Sequence, residues 1–189
     1  MWSATFFHGN EWGIEMWKYL LSVPVLLFPY EILTVLFCIF TGYGMETVFQ
    51  NNGLYCLLAL LVGAIVAFVF SVVLCLLSYF QHWTAKEMLH LAMVIKLVHI
   101  PGYLLIFFWG LLCAVTIFTI GFSFVLAILD GISIGMTGLI GAFGVQKAYH
   151  TGQLNWKEGL LHGILQFVFC ADVVSIVALY LKIKNGQKC

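Results

Sequence analysis

Long apolar runs separated by short polar interruptions organise this chain. A bilayer core of about 30 Å needs about 20 apolar helical residues at 1.5 Å each. Segment 19–40 meets that length and is broken only by Ser22, Pro24, Pro29, Glu31 and Thr34. The loop 41–53 that follows ends in Gln50-Asn51-Asn52-Gly53, a turn signal. Segment 54–80 is the cleanest span, and 159–181 is a further one, ending among Lys182, Lys184 and Lys188 at the interface.

The middle of the chain, 88–145, is too long for one crossing and has no polar loop inside it. One partition makes 84–100 an interfacial helix. At 100° per residue, however, Lys86, Glu87 and His90 share one face while Lys96 and His99 lie roughly opposite. An interfacial helix keeps its polar residues on one side. The pattern therefore predicts a span over 88–112, kinked at Pro101-Gly102, a tight turn near 116–121, and a span over 118–145. The expected fold is an all-α, polytopic transmembrane helical bundle in a single integral membrane domain, 1–189. It has about five spans; four to six fit, including six short crossings or a re-entrant Gly-rich segment.

Composition agrees with this pattern. Of 189 residues, 63% are apolar and 8% charged, with a mean hydropathy of +1.06. A soluble domain carries roughly a quarter charged residues to keep its surface wet. Lysines alone supply the positive charge, with no arginine, and the formal net charge is zero. That balance leaves no footprint for nucleic acid. With five spans, Lys18, Lys86, Lys147 and Lys157 fall on one side, and Lys182, Lys184 and Lys188 on the other. Four against three does not set an orientation.

The N-terminus has no basic residue before its opening apolar stretch, and the first strongly apolar run is too long for a signal peptide and lacks a small-residue cleavage site, so the first segment is expected to stay in the mature protein. Cys38, Cys56, Cys75, Cys113, Cys170 and Cys189 form no Cys-x-x-Cys pair and read as packing residues, with Cys189 unsuited to prenylation. Trp12, Trp17, Tyr19, Trp83 and Trp156 near span ends read as an interfacial aromatic belt.

Two features concern packing. Ala59, Gly63, Ala67, Ser71 and Cys75 recur every fourth residue, a strip that another helix backbone can approach closely. Ser78 and His82 extend it. Its partner could lie in the same chain or in another copy. Gly131, Gly135, Gly138, Gly141 and Gly144 cost helix stability, about 1 kcal/mol each against Ala in water. They point to close helix contact or to a broken element lining a cavity.

The ionisable residues carry the functional signal. Glu31, Lys96, His99, Asp130 and Asp172 fall near the middle of their spans. A charge there costs roughly 2.5–3.5 kcal/mol, so such groups pair, titrate or face water. On a wheel of the last span, His162, Gln166, Cys170 and Asp172 gather with Gly159 and Gly163 on one half, as in a cavity wall or interior seam. Glu31 lies beside Pro29, and His99 beside Pro101-Gly102, where broken helices free backbone groups.

These residues suggest a small-solute or proton-coupled carrier, or the membrane-embedded binding subunit of a transporter. Glu31, Lys96, His99, Asp130, His162, Gln166 and Asp172 are its expected binding residues. Asp172 and Glu31 would titrate, His162 would relay, and Lys96 would be the counter-ion. Two alternatives stand beside it. One is an accessory subunit docking another membrane protein through the small-residue strip. The other is a membrane enzyme acting on a lipid, which lacks a nucleophile elbow or a His-Glu-x-x-His motif. No cofactor or metal is expected, since His82, Lys86 and His90 do not make a ligand set. Expected partners are the bilayer, a small solute, and a second copy or another membrane protein; the expected location is the plasma membrane.

Overall fold

The computed structural model describes residues 4–115, 117 and 119–186, with side chains from residue 16 onward. The N-terminal residues 1–3, the Trp12 side chain, Thr116, Phe118, Lys188 and Cys189 lie outside the described residues.

The expected helical bundle is what forms. Among the described residues the elements are α1 (Ala4–Thr41), α2 (Tyr43–Thr47), α3 (Gly53–Phe80), α4 (Ala85–Ala114), α5 (Ile120–His150), α6 (Trp156–Leu165) and α7 (Ala171–Gly186). Four of them, α1 from Met16 onward, α3, α4 and α5, are long and apolar enough to cross a membrane.

Local chemistry sets their ends. Asn52 caps α3, its side chain accepting from Leu54 N at 3.0 Å, just after Gln50 and Asn51 turn the chain in the left-handed region. A reciprocal capping box starts α4: Glu87 N donates to Thr84 Oγ1 at 3.3 Å, and Thr84 N donates to Glu87 Oε2 at 2.9 Å. Both α1 and α4 run through their prolines as continuous helices.

Cross-helix contacts fix the topology. Lys18 pairs with Glu87, and Phe40 stacks on Trp109, so α1 and α4 run parallel. Leu89 packs at Gly144, and Ser133 reaches Tyr103, so α5 runs antiparallel to α4. Ser71 donates to Met136 O at 2.8 Å, and Lys147 donates to Ser78 O, which sets α3 parallel to α5.

The last apolar segment departs from expectation. It is not one straight crossing over 159–181. Lys182 Nζ donates to Glu158 Oε1 at 2.7 Å across 24 residues. A continuous helix would hold residues that far apart in sequence about 36 Å from each other. Ser175 Oγ lies 2.8 Å from His162 Nδ1, one step further in. Helices α6 and α7 are therefore the two arms of a re-entrant hairpin that turns at 166–170 and leaves by the side it entered.

That correction also regroups the lysines. With the hairpin folded back, Lys18, Lys86, Lys147, Lys157, Lys182 and Lys184 all belong to one end of the bundle. Among the described residues the opposite end, 42–52 with 115, 117 and 119, contains no lysine and carries Glu46.

A membrane-impermeant maleimide checks this arrangement. Lys157→Cys and Lys182→Cys should label from the same face as Lys86→Cys, and Asn51→Cys from the opposite face. Labelling of Lys182→Cys together with Asn51→Cys would restore a straight fifth crossing.

Candidate functional site

The hairpin turn contains no glycine or proline, and Cys170 adopts a left-handed backbone with φ 63°. Inside a bilayer, backbone groups released by such a break must find partners within the protein. Turn bonds from the N–H groups of Phe167, Val168, Ala171 and Asp172 take several of them, and Lys96 takes one more, the Gln166 carbonyl. Lys96 Nζ donates to Gln166 O at 3.3 Å, to Gln166 Oε1 at 2.8 Å and to Asp172 Oδ2 at 3.0 Å. Its three donors are thus all used. The Lys96 side chain is 0% exposed and that of Asp172 2%. The ammonium also faces the carbonyl end of α6, where the helix dipole is negative. Asp172 sits in the first turn of α7, and its Oδ1 accepts from Val173 N at 2.8 Å.

The glycines of α5 make room for the turn. A Cβ on Gly138 would stand 2.7 Å from Gln166 O, and one on Gly141 would strike the Gln166 side chain. The glycine-dense stretch is itself continuous helix. Its cost supports the broken element next door. Gly131 and Gly135 have open space beside them.

A hydrogen-bonded chain leads from the hairpin's interior to the ion pair. His162 Nδ1 meets Ser175 Oγ at 2.8 Å, Gln166 Nε2 donates to the same oxygen at 3.3 Å, and Gln166 Oε1 accepts from Lys96. Residues placed on one wheel face do converge here, although the wheel itself breaks at the turn. Cys170, counted with them, is exposed. At the mouth, the Lys182 hydrogen bond, helped by Asn155 N–H, holds the Glu158 carboxyl below the ordinary carboxylate range. That clasp is complete above the ordinary value and is lost as pH falls through the lowered one.

His99, one turn along α4, serves a different break. Pro29 has no N–H, so it leaves the Val25 carbonyl without its helical donor. His99 Nε2–H donates to Val25 O at 3.0 Å. Because a carbonyl only accepts, Nδ1 is the acceptor, taking the Tyr103 hydroxyl at 3.0 Å. Ser133 Oγ in turn donates to Tyr103 at 3.4 Å. Pro29 also packs at Gly102, where an added Cβ would lie 2.9 Å away. Tyr103 and Ser175 complete both networks and were not legible as site residues, because a hydroxyl in an apolar run has many uses.

Glu31 stands apart. Its carboxyl lies over Gly63 in the seam between α1 and α3, and it makes no hydrogen bond or ion pair among the described residues. The structure does not bring it to Lys96 and Asp172. The small-residue strip serves the same chain: Ala67, Ser71 and Cys75 are buried inside the bundle, with Ala59 and Gly63 half-buried.

Asp130 borders a cavity of about 460 Å³ between the outer halves of α4 and α5, lined also by Gly110, Ser123, Ala127 and Phe169. Asp130 Oδ1 is buried with no hydrogen-bond partner among the described residues. A second groove, about 560 Å³, runs between α5 and α6 from the lysine-rich end, past Tyr149 and Gly163 to Phe167. The hairpin turn separates the two. Among the described residues no three His, Cys, Asp or Glu side chains converge as a metal site would require. No family model matches the chain, and no curated protein or solved structure is similar to it.

Two variants test how the turn is held. Lys96→Met strands a buried carboxylate and should cost about 3–5 kcal/mol in a detergent-denaturation titration. Adding Asp172→Asn should return about 2 kcal/mol of that loss. Equal, additive losses would mean the two side chains are not coupled. Gly141→Ala should speed hydrogen exchange across 160–175 while leaving 54–80 protected.

Proposed function

We propose that this integral membrane protein is a carrier, or the membrane-embedded binding subunit of one, for a proton or a small solute. The observation that carries this reading is a re-entrant hairpin ending on a buried ion pair, with an open groove on each side of its turn. Broken helices at mid-depth are tolerated where they line a path, and they supply binding groups there. Phe167 borders the groove from the lysine-rich end, and Phe169 borders the cavity from the other. The turn is thus the barrier between two half-paths.

In this reading the Asp172–Lys96 pair is the latch of the turn. Loosening that pair weakens the hold on Gln166 and lets the turn shift between the grooves. His162 and Ser175 orient Gln166. An amide does not relay protons, so His162 positions the gate instead of passing charge through it. Asp130, the one carboxyl on a mostly apolar wall that also includes Ser123, suits a proton or a small cationic or weakly polar solute and disfavours an anion. Glu31, in another seam, has no part in this path. We place the protein in the plasma membrane with its lysine-rich end in the cytoplasm. The accessory reading loses support because the strip proposed for docking packs inside the chain.

The test is uptake into reconstituted liposomes carrying an internal pH dye, run across a panel of small cations and neutral solutes. Wild type should move protons or one of these solutes down an imposed gradient. Asp172→Asn and Lys96→Met should fall to the rate of empty liposomes. Unchanged transport in both variants would remove the site from the path.

A further inference from the structure

A cavity of about 810 Å³ opens at the lysine-rich end, where the α3–α4 turn meets the end of α5. Its rim carries His82, Lys86, Lys147 and His150, and its lining includes no acidic residue. Thr84 and Gln153 add polar groups, while Leu76, Tyr79 and Phe143 form an apolar wall below. The nearest acid, Glu87, is turned to other partners: it accepts from Thr84 N and pairs with Lys18. Lys147 is fixed by Ser78 O and by Trp83 O at 2.9 Å. The side chains of Lys86, His82 and His150, by contrast, make no hydrogen bond or ion pair among the described residues; His82 is held only through its backbone N–H, which donates to Tyr79 O at 3.3 Å. The turn also holds His82 at φ 53°, a backbone region where a glycine would be less strained.

Basic side chains with no hydrogen bond or ion pair of their own, around a pocket at the membrane boundary, have a specific use; His150 makes only a ring contact, 5.5 Å from Tyr149. Basic pockets between transmembrane helices on the cytoplasmic side bind anionic headgroups. A phosphate supplies several acceptor oxygens for such donors, and the apolar wall beneath offers a place for acyl chains. Neither the hairpin nor the two grooves contribute to this pocket's cationic rim. We infer that it is a phosphate site, occupied by the headgroup of an anionic phospholipid from the surrounding leaflet.

The experiment uses the full chain in nanodiscs of phosphatidylcholine containing a minor fraction of phosphatidylglycerol. Native mass spectrometry then counts the lipids that remain bound. Wild type should retain phosphatidylglycerol well above its share of the bilayer. Lys86→Gln should lower that retention about fivefold, the weight of one lysine at a membrane surface. Lys86→Gln/His150→Gln should lower it further. Lys157→Gln removes an equal charge at the same end but outside the pocket, and should leave retention unchanged. Unaltered thermal unfolding in pure phosphatidylcholine controls for folding. A parallel arm adds inorganic phosphate to protein in phosphatidylcholine alone. Stabilisation that Lys86→Gln abolishes would keep the phosphate site and assign it a soluble source. Retention no better than for phosphatidylcholine, with no effect of phosphate, would overturn the inference. So would an equal loss in Lys86→Gln and Lys157→Gln.

Discussion

An ammonium fully enclosed in a lipid-embedded bundle survives only if every one of its donors is matched and its charge is balanced. Lys96 meets both demands at one place, through the Asp172 carboxylate and two oxygens of Gln166. One of those contacts also satisfies the Gln166 carbonyl at the helix break, where lipid offers nothing in exchange. The buried charge and the broken helix each remove the other's cost. Neither would be stable alone, and this mutual dependence determines how the last third of the chain folds.

Several features follow from that one constraint. The turn must lie close to α4, so α5, between α4 and the hairpin's first arm, carries Gly138 and Gly141 where Gln166 approaches. The hairpin occupies only half of the membrane depth, so the other half remains an open cavity between α4 and α5, with Asp130 on its wall. Because the second arm returns to its starting side, the lysines at its end join those of the earlier loops. A second buried network, His99 with Tyr103 and Val25 O, repairs the proline in α1 by the same logic. Lys96 and His99 thus each serve a carbonyl that a helix break or a proline leaves without its donor.

The four long helices were legible because apolar length alone decides whether a helix can cross. The start of α3 was legible from the turn signal before Gly53, whereas α4 starts at Ala85, ahead of the expected 88, because Thr84 caps its first turn. The hairpin was not. Residues 166–170 contain no glycine or proline, so nothing local marks the break, and 159–181 has the length of an ordinary span. A signal did exist at longer range. Lys18, Lys86, Lys147 and Lys157 stand against Lys182, Lys184 and Lys188 only if the last segment crosses, and that four-to-three split departs from the usual asymmetry of membrane proteins. Folding the segment back removes that departure. Glu31 shows the converse limit: its depth was readable, but the seam it faces depends on which helix Gly63 meets.

The account rests on α6 and α7 being two arms of one hairpin, and the separation of their outer ends tests that most directly. Spin labels at Glu158 and Lys182, read by electron paramagnetic resonance in lipid, distinguish the two geometries. The hairpin predicts strong dipolar broadening between labels in near contact, as the 2.7 Å ion pair at this mouth requires. A separation near about 36 Å, the span of a continuous helix, would contradict it and with it the role assigned to Lys96.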